Sequence, residues 1–203
     1  PVPWMTNRYQ LVDVGCAVPT DPEQPISIAV RDPELGAVIG SLAAGALGDA
    51  RTLWGDSSPL DWLDGKRRNQ YAASLGACVL VKADTSGKRQ KWDDWIDNLA
   101  RWFDWLPDGA ALQSVRRLRL ARGAKDLKGV HASATETLRR GIPIIAPVAS
   151  MFLDTLATLV EHEQFDSTDI EDQYRAVRSV MLRMQSGQAF TLLRFESKGK
   201  RAR

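Results

Sequence analysis

Residues 92–106 read Trp92-Asp93-Asp94-Trp95-Ile96-Asp97-Asn98-Leu99-Ala100-Arg101-Trp102-Phe103-Asp104-Trp105-Leu106. Trp92, Trp95, Ile96, Leu99, Trp102, Phe103 and Leu106 recur at i, i+3, i+4, i+7, i+10, i+11 and i+14, which places all seven on one stripe of a single α-helix. Asp93, Asp94, Asp97, Asn98, Arg101 and Asp104 fill the opposite face. Pro107-Asp108-Gly109 reads as the stop, because Pro offers no backbone donor and Gly tolerates a turn. Burial of large apolar side chains is worth roughly 1.5–3 kcal/mol each before entropy. No other stretch offers as much, so the neighbouring elements are expected to pack on this stripe.

On its N-terminal side, residues 84–87 form a turn and residues 75–81 a nearly continuous apolar run ending in β-branched residues, which reads as a buried strand. Residues 51–65 read as loop, with a short helix over 59–63. Asp32-Pro33-Glu34 has the cap, the first-turn proline and the acid of a helix start. That helix is expected to run to about residue 50, its Gly36, Gly40, Gly45 and Gly48 allowing another backbone close. Alternation predicts short strands at 9–14 and 26–30, joined by a Pro-rich turn at 19–25. On the C-terminal side, Ala111, Leu112, Val115 and Leu118 share one helical face. Ser133 with Glu136 and Thr168 with Glu171 have the spacing of capping boxes at the starts of two later helices. Pro143 and Pro147 confine a helix to about 147–163, the Thr168 helix is expected to end near Gly187, and Phe190, Leu192 and Arg194 to Phe195 suggest a last strand. The expected fold is an α-rich α+β protein with a small N-terminal β portion and a C-terminal helical bundle. It reads as a single compact domain over 1–203, divisible into a mixed α/β portion, 1–83, and a helical portion, 84–203.

With 44% apolar and 26% charged residues, the 203-residue chain has the composition of an ordinary globular protein. Cys16 and Cys78 are isolated in apolar contexts, which excludes a disulfide framework and favours buried thiols in a reducing compartment. The longest weakly polar run, 35–47, carries no charge but is shorter than the ~20 residues of a spanning helix. The start, Pro1-Val2-Pro3-Trp4, lacks the basic and apolar regions of a secretory leader. A cytoplasmic location and no membrane partner are expected.

The net charge of +2 is unevenly placed, −3 over residues 1–100 and +5 over residues 101–203. Arg116, Arg117, Arg119, Arg122, Lys125 and Lys128 form the densest cationic cluster, with only Asp126 opposing. Arginine forks suit phosphate, and an extended 117–121 would point Arg117 and Arg119 the same way. Alternatively the cluster is a solvated face salt-bridged to the acids of the tryptophan helix. The tail adds Lys198, Lys200, Arg201 and Arg203. Trp105 lies about 120° off the apolar stripe, either as a partner contact or base-stacking surface or as cover for a loop. Asp154, Thr158 and Glu161 share a helix face with His162 adjacent and Asp166 and Asp169 following; the face could serve acid–base or metal chemistry, and it reads better as the wet side of an amphipathic helix. The ligand spacing of a metal site is missing, and no cofactor is expected.

Gly40-Ser41-Leu42-Ala43-Ala44-Gly45-Ala46-Leu47-Gly48-Asp49-Ala50 resembles the first-helix motif of the ADP-ribosylglycohydrolases, but that family's acidic, threonine-flanked metal motifs have no counterpart here. Ser86-Gly87-Lys88 resembles the end of a phosphate-binding P-loop without its leading glycine or the Ser/Thr after the lysine. Neither likeness implies an activity. The expected function is that of a non-catalytic subunit that contacts nucleic-acid backbone within a larger nucleoprotein or phage- or plasmid-type assembly. The alternatives are a protein–protein adaptor or inhibitor, and a hydrolase using Asp154, Glu161 and His162.

Overall fold

The computed structural model describes residues 12–15, 27–30, 33–46, 58–162, 167–184 and 190–191. Among them, β1 (Val12–Gly15) and β2 (Ser27–Val30) pair antiparallel, Val12 opposite Val30 and Gly15 opposite Ser27. The remaining elements are helices: α1 (Pro33–Ala43), α2 (Pro59–Asp64), α3 (Gln70–Ala83), α4 (Asp93–Trp102), α5 (Pro107–Leu120), α6 (Ala124–Arg140), α7 (Ala146–Glu161) and α8 (Ser167–Met181). A 3₁₀ turn over Gly65–Arg67 links α2 to α3. The helical bundle is as expected. The β structure described on the N-terminal side is one two-stranded ladder, with no third strand among the described residues.

α5, rather than the tryptophan helix, is the hub. It packs against α3, α4, α6 and α7, and its residues Pro107 to Leu112 are buried, as are Ser114, Val115 and Arg116. Pro107 therefore begins a helix instead of ending one. It occupies the first turn, where its missing donor costs nothing, and it forces Leu106 into extended backbone, φ −94° and ψ 111°. The predicted fifteen-residue helix is thus cut to Asp93–Trp102. Ile96 and Leu99 enter the core, Trp92, Trp95 and Phe103 pack at its edge, and Leu106 reaches it from outside the helix. Arg140 of α6 closes the cut end: its Nη1 donates to the carbonyls of Ala100, Phe103 and Leu106 at 2.8, 3.1 and 3.4 Å.

The expected strand at 75–81 is the middle of α3. Asn69 caps this helix, its Oδ1 accepting from the Ala72 amide at 2.9 Å. Leu75, Ala77, Cys78, Val79 and Val81 are all buried. A helix covered on every side has no polar face, so it shows no 3.6-residue period in sequence. Gly76 lets α2 approach: a Cβ there would lie 2.4 Å from the Pro59 carbonyl oxygen. α2 itself starts with a capping box, in which the Asp61 amide donates to Ser58 Oγ and the Ser58 amide to Asp61 Oδ2.

Two other boundaries differ from the sequence reading. α1 stops at Ala43, where Gly45, at φ +77°, donates to Leu42 and Ala46 donates to Ser41. That is the paired bonding of a Schellman stop, so Gly45 ends the helix rather than lining its interface. α6 runs through Ser133, whose Oγ donates to the Gly129 and Val130 carbonyls, so the Ser133 and Glu136 pair is mid-helix and no cap. At the C-terminal side, α8 buries Ile170 and Val177 against α7, and Phe190 makes one antiparallel bridge to Ile145. Residues 192–195 of the expected last strand lie outside the described residues. No described helix is long and apolar enough to cross a membrane.

Candidate functional site

The predicted cationic cluster spans the C-terminal end of α5, the 121–123 link that holds Arg122, and the start of α6; Arg117 and Arg119 lie in helix rather than in extended backbone. The fold treats its members differently. Arg116 is only 3% exposed. Its Nε donates to Asp93 Oδ1 at 2.5 Å, its Nη1 to Asp84 Oδ2 at 2.5 Å, and its Nη2 to the Lys88 carbonyl at 2.7 Å and to Asp93 Oδ2 at 3.1 Å. The guanidinium also lies 4.5 Å from the Trp92 ring centroid. Burial pulls the Arg116 pKa down, but the bonds to Asp93 and Asp84 outweigh it and hold the group above its ordinary value. Burial likewise pushes the Asp84 carboxyl up, and bonds from Ser86 and Arg116 bring it below the usual range. Arg116 is therefore removed from the expected phosphate-binding set. It is the clasp that fastens the 84–93 loop to α5.

Arg119 donates through Nη1 to the Val81 carbonyl and, at 3.5 Å, to that of Asp84, beyond the end of α3. Arg117 donates to the Gly129 carbonyl at 3.3 Å and pairs loosely with Asp97 at 3.7 Å. Arg122, Lys125 and Lys128 are exposed, and their side chains have no acid partner among the described residues; Asp126 accepts instead from the Arg122 backbone amide. Lys88 and Lys91, on the loop that Arg116 clasps, are exposed in the same way. The sequence carried a signal for these two in the run Lys88-Arg89-Gln90-Lys91. The tail cations Lys198, Lys200, Arg201 and Arg203 lie outside the described residues.

Between α5, the start of α6 and α7 runs a shallow groove. One part, about 320 Å³, is lined by Leu118, Ala121, Arg122, Gly123, Ala124, Leu127 and His162. A smaller part, about 120 Å³, shares Leu118 and adds Arg119, Asp154 and Thr158. The groove thus brings the cationic cluster against the Asp154–His162 face. Thr158 Oγ1 is turned onto its own helix, donating to the Asp154 carbonyl. Among the described residues, no three of His, Cys, Asp and Glu converge as metal ligands would. Asp166 and the side chain of Asp169 lie outside the described residues. Cys78 is buried, and burial pushes its thiol up to about 12, which leaves no thiolate for chemistry. Cys16 also lies outside the described residues.

Trp105 falls in the turn between α4 and α5 and is 40% exposed, its ring edge-on to Tyr71 at 6.2 Å. Trp102, counted in sequence as a core residue, is 44% exposed. The Lys66 ammonium lies 5.4 Å and 5.5 Å from the Trp95 and Trp102 centroids, and the Arg67 guanidinium 5.1 Å from that of Trp102. No curated protein and no solved structure matches this chain. A family model described as the Y4kD C-terminal domain matches residues 37–200, from within α1 through every later helix. The chain belongs to the Y4kD C-terminal domain family.

Proposed function

We propose that the chain is a non-catalytic binding module that engages nucleic-acid backbone through the C-terminal end of α5, as a subunit of a larger nucleoprotein assembly. One observation carries the reading. Arg116 draws Asp84 and Asp93 inward, leaving Lys88, Lys91, Arg122, Lys125 and Lys128 in water without acid partners among the described residues. Surface cations that are already paired gain little from a phosphate; unpaired ones release counterions from it. Such contacts position a backbone and carry no base information.

The test is a titration of labelled duplex and single-stranded DNA and RNA at low salt. Binding should be similar across unrelated sequences and should weaken when Arg122, Lys125 and Lys128 are replaced together by Ala. Absence of binding to every polynucleotide overturns the proposal and leaves a protein–protein adaptor as the reading.

A further inference from the structure

We infer that Trp102 and Trp105 form a stacking platform for the bases of single-stranded nucleic acid, with Arg67 and Arg68 meeting the adjoining phosphates. The inference rests on the nucleic-acid reading above and names the form of nucleic acid bound. Two indoles are left two-fifths or more exposed in a protein whose other described large exposed hydrophobics are only Leu60 and Leu182. Each ring is held by a neighbour: Trp105 by a T-shaped contact with Tyr71, Trp102 by the Lys66 ammonium. Lys66 is itself only 5% exposed and donates to the Leu63 carbonyl at 3.3 Å, so it is a fixed support.

Arg67 differs. It is exposed and lies over Trp102, and neither it nor Arg68 has an acid partner among the described residues. An exposed cation–π contact is weaker than the stacking of a base on an indole. A base can therefore take the place of Arg67 on the ring, and the released guanidinium then has a phosphate within reach. Rings with adjacent unpaired cations are the two components of single-strand recognition. Arg67 and Arg68 give the exposed patch a positive charge with no acid partner among the described residues, which a polyanion complements. A duplex keeps its bases stacked inside and offers these rings no face.

The test uses the full chain and three labelled probes: an oligothymidylate of about fifteen nucleotides, an abasic deoxyribose-phosphate oligomer of the same length, and a duplex. The oligothymidylate should bind tightest and quench tryptophan fluorescence. Trp102→Ala and Trp105→Ala should each weaken oligothymidylate binding about tenfold and leave abasic binding unchanged. Trp102→Phe, which keeps a ring, should retain most of the affinity, and Arg67→Ala should weaken both single-stranded probes. Equal binding of oligothymidylate and abasic oligomer, or tryptophan variants that bind like the parent, overturns the platform while the backbone proposal stands. No binding to any of the three probes overturns both.

Discussion

Arg116 has five N–H donors in a fixed fork, and four contacts to two carboxylates and a carbonyl hold it inside the protein. Its removal leaves Asp93, itself 4% exposed, as an uncompensated buried charge. Arg116→Ala should therefore cost about 3–5 kcal/mol in chemical denaturation. Arg116→Lys should also destabilise, because a single ammonium cannot meet both acids and the Lys88 carbonyl. A lysine variant with parental stability would contradict the clasp. The sequence displays Arg116 among five other cations, and nothing in that spacing marks which one turns inward; the acids that claim it lie 23 and 32 residues away. Asp108 is another buried charge that composition hides. Fully buried at the second position of α5, it accepts from the Ile144 and Ile145 amides at 2.9 Å each, tying α5 to the entry of α7. Burial raises its pKa from 3.8 to about 6, against the lowering effect of those amides. A raised folded pKa stabilises most below the unfolded value, and that contribution is lost as pH rises through the folded one. The parent should gain stability relative to Asp108→Asn as pH falls from about 6 to about 4, by roughly 3 kcal/mol at most. A difference between the two proteins that stays constant over that range would show that Asp108 does not titrate there.

At the scale of elements, α8 was legible because its apolar stripe faces one neighbour, and α7 because a proline marks its start. α3 was not legible, because burial on all sides erases the helical period. Its packing gives a direct check. Gly76→Ala would place a methyl 2.4 Å from the Pro59 carbonyl oxygen, and backbone must shift to admit it. The expected cost is about 1–3 kcal/mol, although alanine is the better helix former. A stabilised Gly76→Ala would mean that α2 and α3 lie further apart. The tryptophan helix was half legible. Its period is real, but the helix stops at Trp102, ahead of Pro107, so Phe103 and Leu106 lie outside it and burial along the stripe is uneven. Leu99→Ala should cost about 2–5 kcal/mol, as a fully buried truncation. Trp102→Ala, despite the larger side chain, should cost much less, since that ring is nearly half exposed. Thermal melts of the two variants compare them directly.

At the scale of the whole molecule, the +5 of residues 101–203 counted from sequence is not the charge that a ligand meets. Arg116 is neutralised inside the fold, and Arg117 is half engaged with Asp97. In the other direction, Lys88 and Lys91 come from the acidic half of the sequence and join the surface only because the clasp brings their loop to α5. The candidate site was therefore legible as a sign of charge and not as a set of residues. The salt dependence of binding counts that set. If Lys88, Lys91, Arg122, Lys125 and Lys128 each meet a phosphate, log K against log[salt] on duplex DNA should fall with a slope of about −4 to −5. Binding should weaken roughly a few-hundredfold between about 50 and 200 mM salt. Replacing Lys125 and Lys128 by Ala should make the slope shallower by about 2 and leave the melting temperature nearly unchanged, because both side chains are exposed. Deleting residues 198–203 should flatten the slope further if the tail cations also reach the backbone. Arg116→Gln separates charge from architecture: it removes a cation that should touch no phosphate, so any loss of affinity at full folding must come through the released 84–93 loop. In that case the slope should fall by the share of Lys88 and Lys91, about 2, rather than by the single contact expected if Arg116 itself met the backbone.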